Sequence, residues 1–265
     1  MNIKHKNIDY WKNLIPQFHI NDSDTCQDFI EFSDSDLDEI VYRMKEEGYL
    51  AIDPVKWNVD LDLLSAGIKT IVDAGHLPVY GFIYDEYWNV FRLLNNLILK
   101  ILGPYKNRCR LWIWYIDPTQ ERKGFSIHRE YKLIDKIGEL PKFLTIWIPL
   151  TDATNLNSCM YVVPANRDPY YLNQSVNNFG FAYEDIRALP AEKGSVLGWN
   201  HSLLHWGSRS SSRTDKPRIS VSAEFQSVDS QFMDNFNCDL TQEITFDQRL
   251  TIIEHSKRLF GSWES

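Results

Sequence analysis

Two short stretches of this chain carry side chains whose types and spacing can do metal chemistry. In Ser126-Ile127-His128-Arg129-Glu130 an imidazole and a carboxylate stand at i and i+2. Successive side chains of an extended strand alternate faces, so His128 and Glu130 leave the same face together. A neutral imidazole and a carboxylate are two of the three ligands of the facial triad, which holds Fe(II) and leaves three coordination positions open. The third ligand has to be a second imidazole from another strand. His205, inside Leu203-Leu204-His205-Trp206-Gly207-Ser208, stands in strand-like sequence and meets that need. Its rival, His201, lies between Asn200 and Ser202; that polar company reads as a solvated turn between two strands.

A third stretch, Pro217-Arg218-Ile219-Ser220, adds a guanidinium and a hydroxyl, again two positions apart and on one face. Arginine grips a carboxylate through two parallel hydrogen bonds, and Ser220 can donate to the same group. Iron with open positions beside such an Arg-x-Ser pair is what 2-oxoglutarate requires. Its keto-acid end chelates the metal while its far carboxylate meets Arg218.

These residues have to be positioned by the elements around them. From Arg110 to Ile116 the chain is dense in β-branched and aromatic residues and closes on Asp117-Pro118, a strand and a turn. The stretches 143–150, 160–163, 195–199 and 219–225 have the same character. The first third reads helical. Helices are expected from a cap at Ser35 to Gly48, from Asp60 to Ala74, and from Asp85 to Leu102, each with apolar residues at helical spacing. The last residues return to helix, with Leu250, Ile253, Lys257 and Phe260 along one side. The expected fold is α+β in one domain spanning 1–265: a mostly helical flank (1–105), a β-core (106–227) and a C-terminal helical extension (228–265).

Composition excludes several classes. The 265 residues are 43% hydrophobic and 24% charged, with 28 Lys and Arg against 36 Asp and Glu, a net charge of −8. An acidic chain without a basic block is a poor partner for nucleic acid or an anionic membrane. No apolar run approaches the roughly 18 residues of a membrane span. No apolar segment follows the charged Met1–Asn7, so a soluble, cytoplasmic protein is expected. Cys26, Cys109, Cys159 and Cys238 form no C-x-x-C pair and read as reduced, packed thiols.

From Gly124 to Glu224 the chain resembles the phytanoyl-CoA dioxygenase-like branch of the Fe(II)/2-oxoglutarate oxygenases. The likeness runs through Gly124–Glu130, Leu144–Thr154, Asn157–Pro164, Gly194–Asn200, Leu203–Ser208 and Pro217–Ser220. It implies a double-stranded β-helix of jelly-roll or cupin type, with His128, Glu130 and His205 on the metal and Arg218 and Ser220 on the cosubstrate. It also puts Trp147 in the 2-oxoglutarate pocket; Thr145, on the same strand face, joins it. Fe(II), 2-oxoglutarate and O2 are the implied cofactors, with succinate and CO2 released as an unactivated C–H is oxidised. Hydroxylation is expected, with desaturation or cyclisation left open. Halogenation is not, because the family's halogenases leave for halide the position that Glu130 fills.

The chain departs from the family pattern at Glu130, where the family usually has Asp, and at Ser158, where it has Gly. Ala165-Asn166-Arg167 also replaces the family's Gly-Ser-His. Trp112, Trp114, Tyr131 and Arg129 are candidates for the substrate pocket, although most of the aromatic residues are expected to be barrel core. A small metabolite, amino-acid derivative or natural-product intermediate suits the charge better than a CoA thioester; no feature fixes an oligomeric state. Two rival readings are a cupin-like metal enzyme that does not use 2-oxoglutarate and a non-catalytic binding protein on the same fold.

Overall fold

The computed structural model describes residues 3–21, 29–121, 124–130, 136–173, 179–230, 236–240 and 242–261. Helix α1 (Ile8–Leu14) begins at Asn7, whose side chain accepts from Asp9 N. Helix α2 (Asp34–Glu47) starts slightly earlier than expected, because Ser33, not Ser35, supplies the cap and accepts from Asp36 N. It stops where Gly48 turns left-handed, φ +80°. Helix α3 (Leu61–Asp73) is capped by the Asp60 carboxylate, which accepts from the N–H groups of Asp62 and Leu63.

The long helix expected from Asp85 to Leu102 is two helices, α4 (Asp85–Arg92) and α5 (Asn95–Leu102). Leu94 N donates to Phe91 O, a tighter i to i−3 bond, and the chain bends there. The apolar stripe is too wide for one straight helix. The bend lets Trp88, Phe91, Leu93, Leu94, Leu97 and Ile98 all be buried.

A strand missing from the sequence expectation, β1 (Tyr49–Ile52), follows Gly48 and pairs antiparallel with β6 (Val196–Asn200). Together with β2 (Tyr105–Ile116), β3 (Phe143–Pro149) and β8 (Arg218–Ser227) they form a five-stranded antiparallel sheet in the order β1-β6-β3-β8-β2. A second, three-stranded sheet has the order β5-β4-β7, built from β4 (Met160–Val163), β5 (Arg187–Leu189) and β7 (Leu204–Gly207). Every residue of β3 is buried, since one face meets the helices and the other meets the second sheet.

Strand β2 begins at Tyr105, well before the expected Arg110, and is interrupted by a bulge between Asn107 and Leu111 with Cys109 at φ +54°. Helix α6 (Phe246–Phe260) opens on a capping box between Thr245 and Gln248. Its buried Arg249 donates to Ile83 O and pairs with Asp85, tying the chain's end to the start of α4. Cys109, Cys159 and Cys238 form no disulfide, as expected; Cys26 lies outside the described residues. Among the described residues no helix is long and apolar enough to cross a membrane.

Candidate metal centre

The segment carrying the first two candidate ligands runs beside β7 and the turn before it. His128 N donates to His205 O and His205 N donates to His128 O, both at 3.1 Å, and Glu130 N donates to His201 O at 3.1 Å. The segment is a single bridge rather than a full strand. Glycine makes the approach possible: a Cβ on Gly124 would stand 2.5 Å from the carbonyl of Gly207. One ligand atom from each of His128, Glu130 and His205 consequently lies within 4.8 Å of the other two. Glu130 Oε1 is 3.6 Å from His205 Nε2. Ligands about 2.1 Å from a shared cation stand roughly 3–4 Å apart, so a small closure brings this set to bonding distance.

The donor atoms are in the protonation states a metal needs. His128 Nδ1 lies 2.7 Å from Ser126 O and His205 Nδ1 lies 3.0 Å from Leu203 O. A carbonyl only accepts, so each Nδ1 carries the proton and each Nε2 presents its lone pair to the centre. Burial pushes both imidazoles towards the neutral form, His205 down to about 3 with the help of neighbouring His128. Burial alone would raise the Glu130 carboxyl. The imidazoles of His201, His205 and His128 outweigh it and hold the group well below the usual carboxylate range. Two neutral imidazoles and one carboxylate, each with an atom directed at one point, fit a divalent transition metal.

His201 corrects the sequence expectation. It does occupy the turn between β6 and β7, but it is fully buried rather than solvated. The polar neighbours that read as a solvated turn satisfy one another internally: Ser202 N donates to Asn200 Oδ1, and Asn200 Nδ2 donates to Tyr171 Oη. The His201 ring stacks on Phe143 and its Nε2 lies 2.8 Å from Glu130 Oε2. Thr145 Oγ1 donates to the same carboxylate, 3.0 Å from Oε2.

Beyond His201 sits Glu224, buried on β8, with Arg108 Nη1 at 2.8 Å and Arg110 Nε at 3.1 Å. Burial and the charge of Glu130 push the Glu224 carboxyl up, against the pull of Arg110, His201 and Arg108. Glu130, His201 and Glu224 also approach within 4.8 Å. The two guanidiniums on Glu224 make this an ion-pair network, not a second cation site.

Arg218 is buried on the opposite stretch of β8. Its Nη1 donates to Ser220 Oγ at 2.8 Å, while its Nε is buried and meets no hydrogen-bond partner among the described residues. The guanidinium carbon stands 5.4 Å from the Trp147 ring centroid, and Trp147 Nε1 is likewise buried without a partner. Burial lowers Arg218 to about 10, which leaves it charged at neutral pH. A buried cation with an unmet N–H, facing a cavity, calls for an anion. Arg218, Trp147, Thr145 and the three candidate ligands all line one cavity of about 600 Å³ between the two sheets. Ser220 is fully buried and holds Arg218 rather than forming part of the wall.

Trp112 and Trp114 also line this cavity, from β2. Arg129 does not. Standing between His128 and Glu130, its side chain leaves the other face and forms a buried ion pair with Asp168. Tyr131 lies outside the described residues. Sequence reasoning missed Glu224 and Arg110 as site residues, and with them Trp199, whose ring packs 4.8 Å from that of His205. Glu224 had a signal: it stands at even spacing from Arg218 and Ser220 on one strand, so it shares their face.

A sheet pair enclosing two imidazoles, a carboxylate and a buried arginine defines the class of cupin-type metal-site folds. A family profile described as "Phytanoyl-CoA dioxygenase (PhyH)" matches residues 79–220, and the chain belongs to that family. A comparison with curated proteins finds no match. Among solved structures the chain resembles the epimerase SnoN, in complex with Fe3+, alpha ketoglutarate and nogalamycin RO. That match has 15% identity and a TM-score of 0.58, over 74% of this chain and 85% of that one. The carbocyclase SnoK of nogalamycin biosynthesis matches at 18% identity and TM-score 0.57, over 79% and 90%. A nickel complex of the non-haem monooxygenase ThoJ matches at 11% and 0.60, over 84% and 98%. At these identities the likeness is one of fold.

Proposed function

We propose that this protein is a non-haem Fe(II)- and 2-oxoglutarate-dependent dioxygenase that hydroxylates an unactivated C–H of a small molecule. His128, Glu130 and His205 would hold the iron, and Arg218 with Trp147 and Thr145 would receive 2-oxoglutarate. Bound together, iron and 2-oxoglutarate supply O2 activation coupled to decarboxylation, giving succinate, CO2 and a one-oxygen oxidation. The chain's own residues supply the rest. The Nδ1 bonds of His128 and His205 fix the ring faces, His201 and Thr145 hold the carboxylate of Glu130, and Trp112, Trp114 and Trp199 keep the cavity apolar.

The observation that carries this reading is the buried Arg218 Nε, without a partner among the described residues, on the same cavity as the three ligands. A metal site that did not use a diacid would have no need of a buried cation there. Family membership and the iron- and alpha-ketoglutarate-bound SnoN of similar fold support the same assignment. SnoN is named an epimerase and SnoK a carbocyclase, so the outcome at the substrate carbon is the finer part of the proposal. Glu130 occupies the carboxylate position, which favours oxygen over halide transfer.

The test is anaerobic loading with Fe(II) and 2-oxoglutarate, followed by O2 and measurement of succinate. Wild type is expected to form succinate only with both present. Arg218→Ala is expected to raise the KM for 2-oxoglutarate about 10- to 100-fold, the equivalent of losing a charge-assisted pair. Turnover indifferent to 2-oxoglutarate or to Arg218 would support the metal enzyme that does not use it. Failure to bind Fe(II) at all would support a binding protein. A chlorinated product formed with chloride would refute the hydroxylase assignment.

A further inference from the structure

Once the metal ligands and Arg218 are assigned, two charged side chains on the cavity wall remain, Arg110 and Glu224. Glu224 stands six residues beyond Arg218 on β8, roughly 20 Å along the strand, so this second charged end is distinct from the cosubstrate end. Arg108 and Arg110 both meet Glu224, at 2.8 Å and 3.1 Å. Arg108 is buried. Arg110 keeps 17% of its side chain exposed and reaches the cavity. Two guanidiniums against one carboxylate leave a net positive charge at this end. The loaded centre does not offset it: the dication with Glu130 and the diacid with Arg218 balance each other. The remaining wall is apolar and aromatic, with Trp112, Trp114, Phe125 and Phe260 on it, and the Arg110 guanidinium carbon lies 5.8 Å from the Phe260 ring centroid. Low-dielectric walls of this kind strengthen the field of an uncompensated charge.

We propose that the molecule oxidised here is an apolar, ring-bearing monocarboxylate, with its carboxylate on Arg110 and its hydrocarbon against Trp112, Trp114 and Phe260. This rests on the reading of the same cavity as the oxygenase site. An amine would add to the positive charge already present, and a neutral hydrocarbon would leave that charge uncovered. A carboxylate cancels it, and Glu224 keeps the guanidinium fork oriented while the ligand binds. Arg110 thereby selects the substrate, and the aromatic wall sets which carbon faces the metal.

The test uses the full chain without iron, reading the fluorescence of the cavity tryptophans. Benzoate, cyclohexanecarboxylate and 3-phenylpropionate are each titrated beside the matching primary amide and amine. At least one acid is expected to bind about tenfold more tightly than its amide, a difference of about 1.4 kcal/mol. The preference is expected to vanish in Arg110→Gln, to persist in Arg110→Lys, which keeps the charge, and to be unchanged in Arg218→Ala. The proposal is overturned if no acid is preferred over its amide, absence of binding included. Loss of the preference in Arg110→Lys as well as Arg110→Gln overturns it too, as does a preference that survives Arg110→Gln. Loss in Arg218→Ala alone would place the acid in the cosubstrate pocket and also overturn it. Because iron is absent, acid preference without turnover refutes the oxygenase reading alone, and turnover without acid preference refutes this inference alone.

Discussion

His201 Nε2 lies 2.8 Å from Glu130 Oε2, the carboxylate oxygen facing away from His205, while Oε1 lies 3.6 Å from His205 Nε2. One oxygen is therefore held by the protein and the other is left for a metal. Glu130 is longer by one methylene than the aspartate usual at this position. That extra freedom is taken up by His201 and Thr145, which fix the far end of the carboxylate.

Removing this support is expected to weaken the metal rather than the fold. His201→Ala should lower affinity for Co(II), used as a spectroscopic stand-in for iron, by about 10- to 100-fold. A wild-type absorbance titration against the variant reads this directly. Unchanged affinity would mean that the contact between His201 and Glu130 does not position the ligand.

Acid is expected to destabilise the metal-free protein through its buried imidazoles. In the unfolded chain His205 titrates at its ordinary 6.5, whereas in the fold it is held down to about 3. Between those values the unfolded state binds the extra proton. The contribution is thus complete above pH 6.5 and is lost as pH falls towards 3. From pH 7 to pH 5 this one group removes about 2 kcal/mol. His128, shifted in the same direction by burial, adds to the loss. Urea unfolding at the two pH values should show it, with a smaller drop in His205→Gln. An equal drop in that variant would assign the acid sensitivity elsewhere.

Much of this site was legible because a strand repeats every two residues. That period placed His128 with Glu130, Arg218 with Ser220, and Thr145 with Trp147, and each pair does share a region of the structure. Two features broke the rule. Between Asn107 and Leu111 the bulge in β2 lets both Arg108 and Arg110 meet Glu224, which no regular alternation would allow. The burial of His201 depends on a turn folding under β3, and a turn's polar composition says nothing about whether water or protein satisfies it. The break between α4 and α5 was hidden for a related reason. A continuous apolar stripe fits a straight helix as well as a bent one, and only the surface it packs against decides.

Ser158 is strained where a glycine would not be. Its φ is +77°, left-handed, and its Oγ is buried with no partner among the described residues. Ser158→Gly removes the steric cost of that conformation and an unmet hydroxyl, against the greater entropy of glycine in the unfolded chain. The net expectation is a gain of about 0.5–1 kcal/mol, or a rise in Tm of roughly 1–4 °C. Scanning calorimetry of the two proteins decides it. A lower Tm in the variant would show that the hydroxyl is bonded in solution.

Arg129 separates a structural role from a functional one within three consecutive residues. Its side chain and that of Asp168 are 6% and 1% exposed and form an ion pair, on the face opposite His128 and Glu130. Arg129→Ala strands a buried carboxylate and should cost about 3–5 kcal/mol. Replacing both partners, as Arg129→Met with Asp168→Leu, removes the stranded charge and should recover most of that loss. Metal affinity of the folded double variant should match wild type, because neither side chain reaches the cavity. If Arg129→Ala instead kept its stability and lost turnover, the residue would belong to the substrate pocket after all, and the face assignment from strand alternation would be wrong at this bridge.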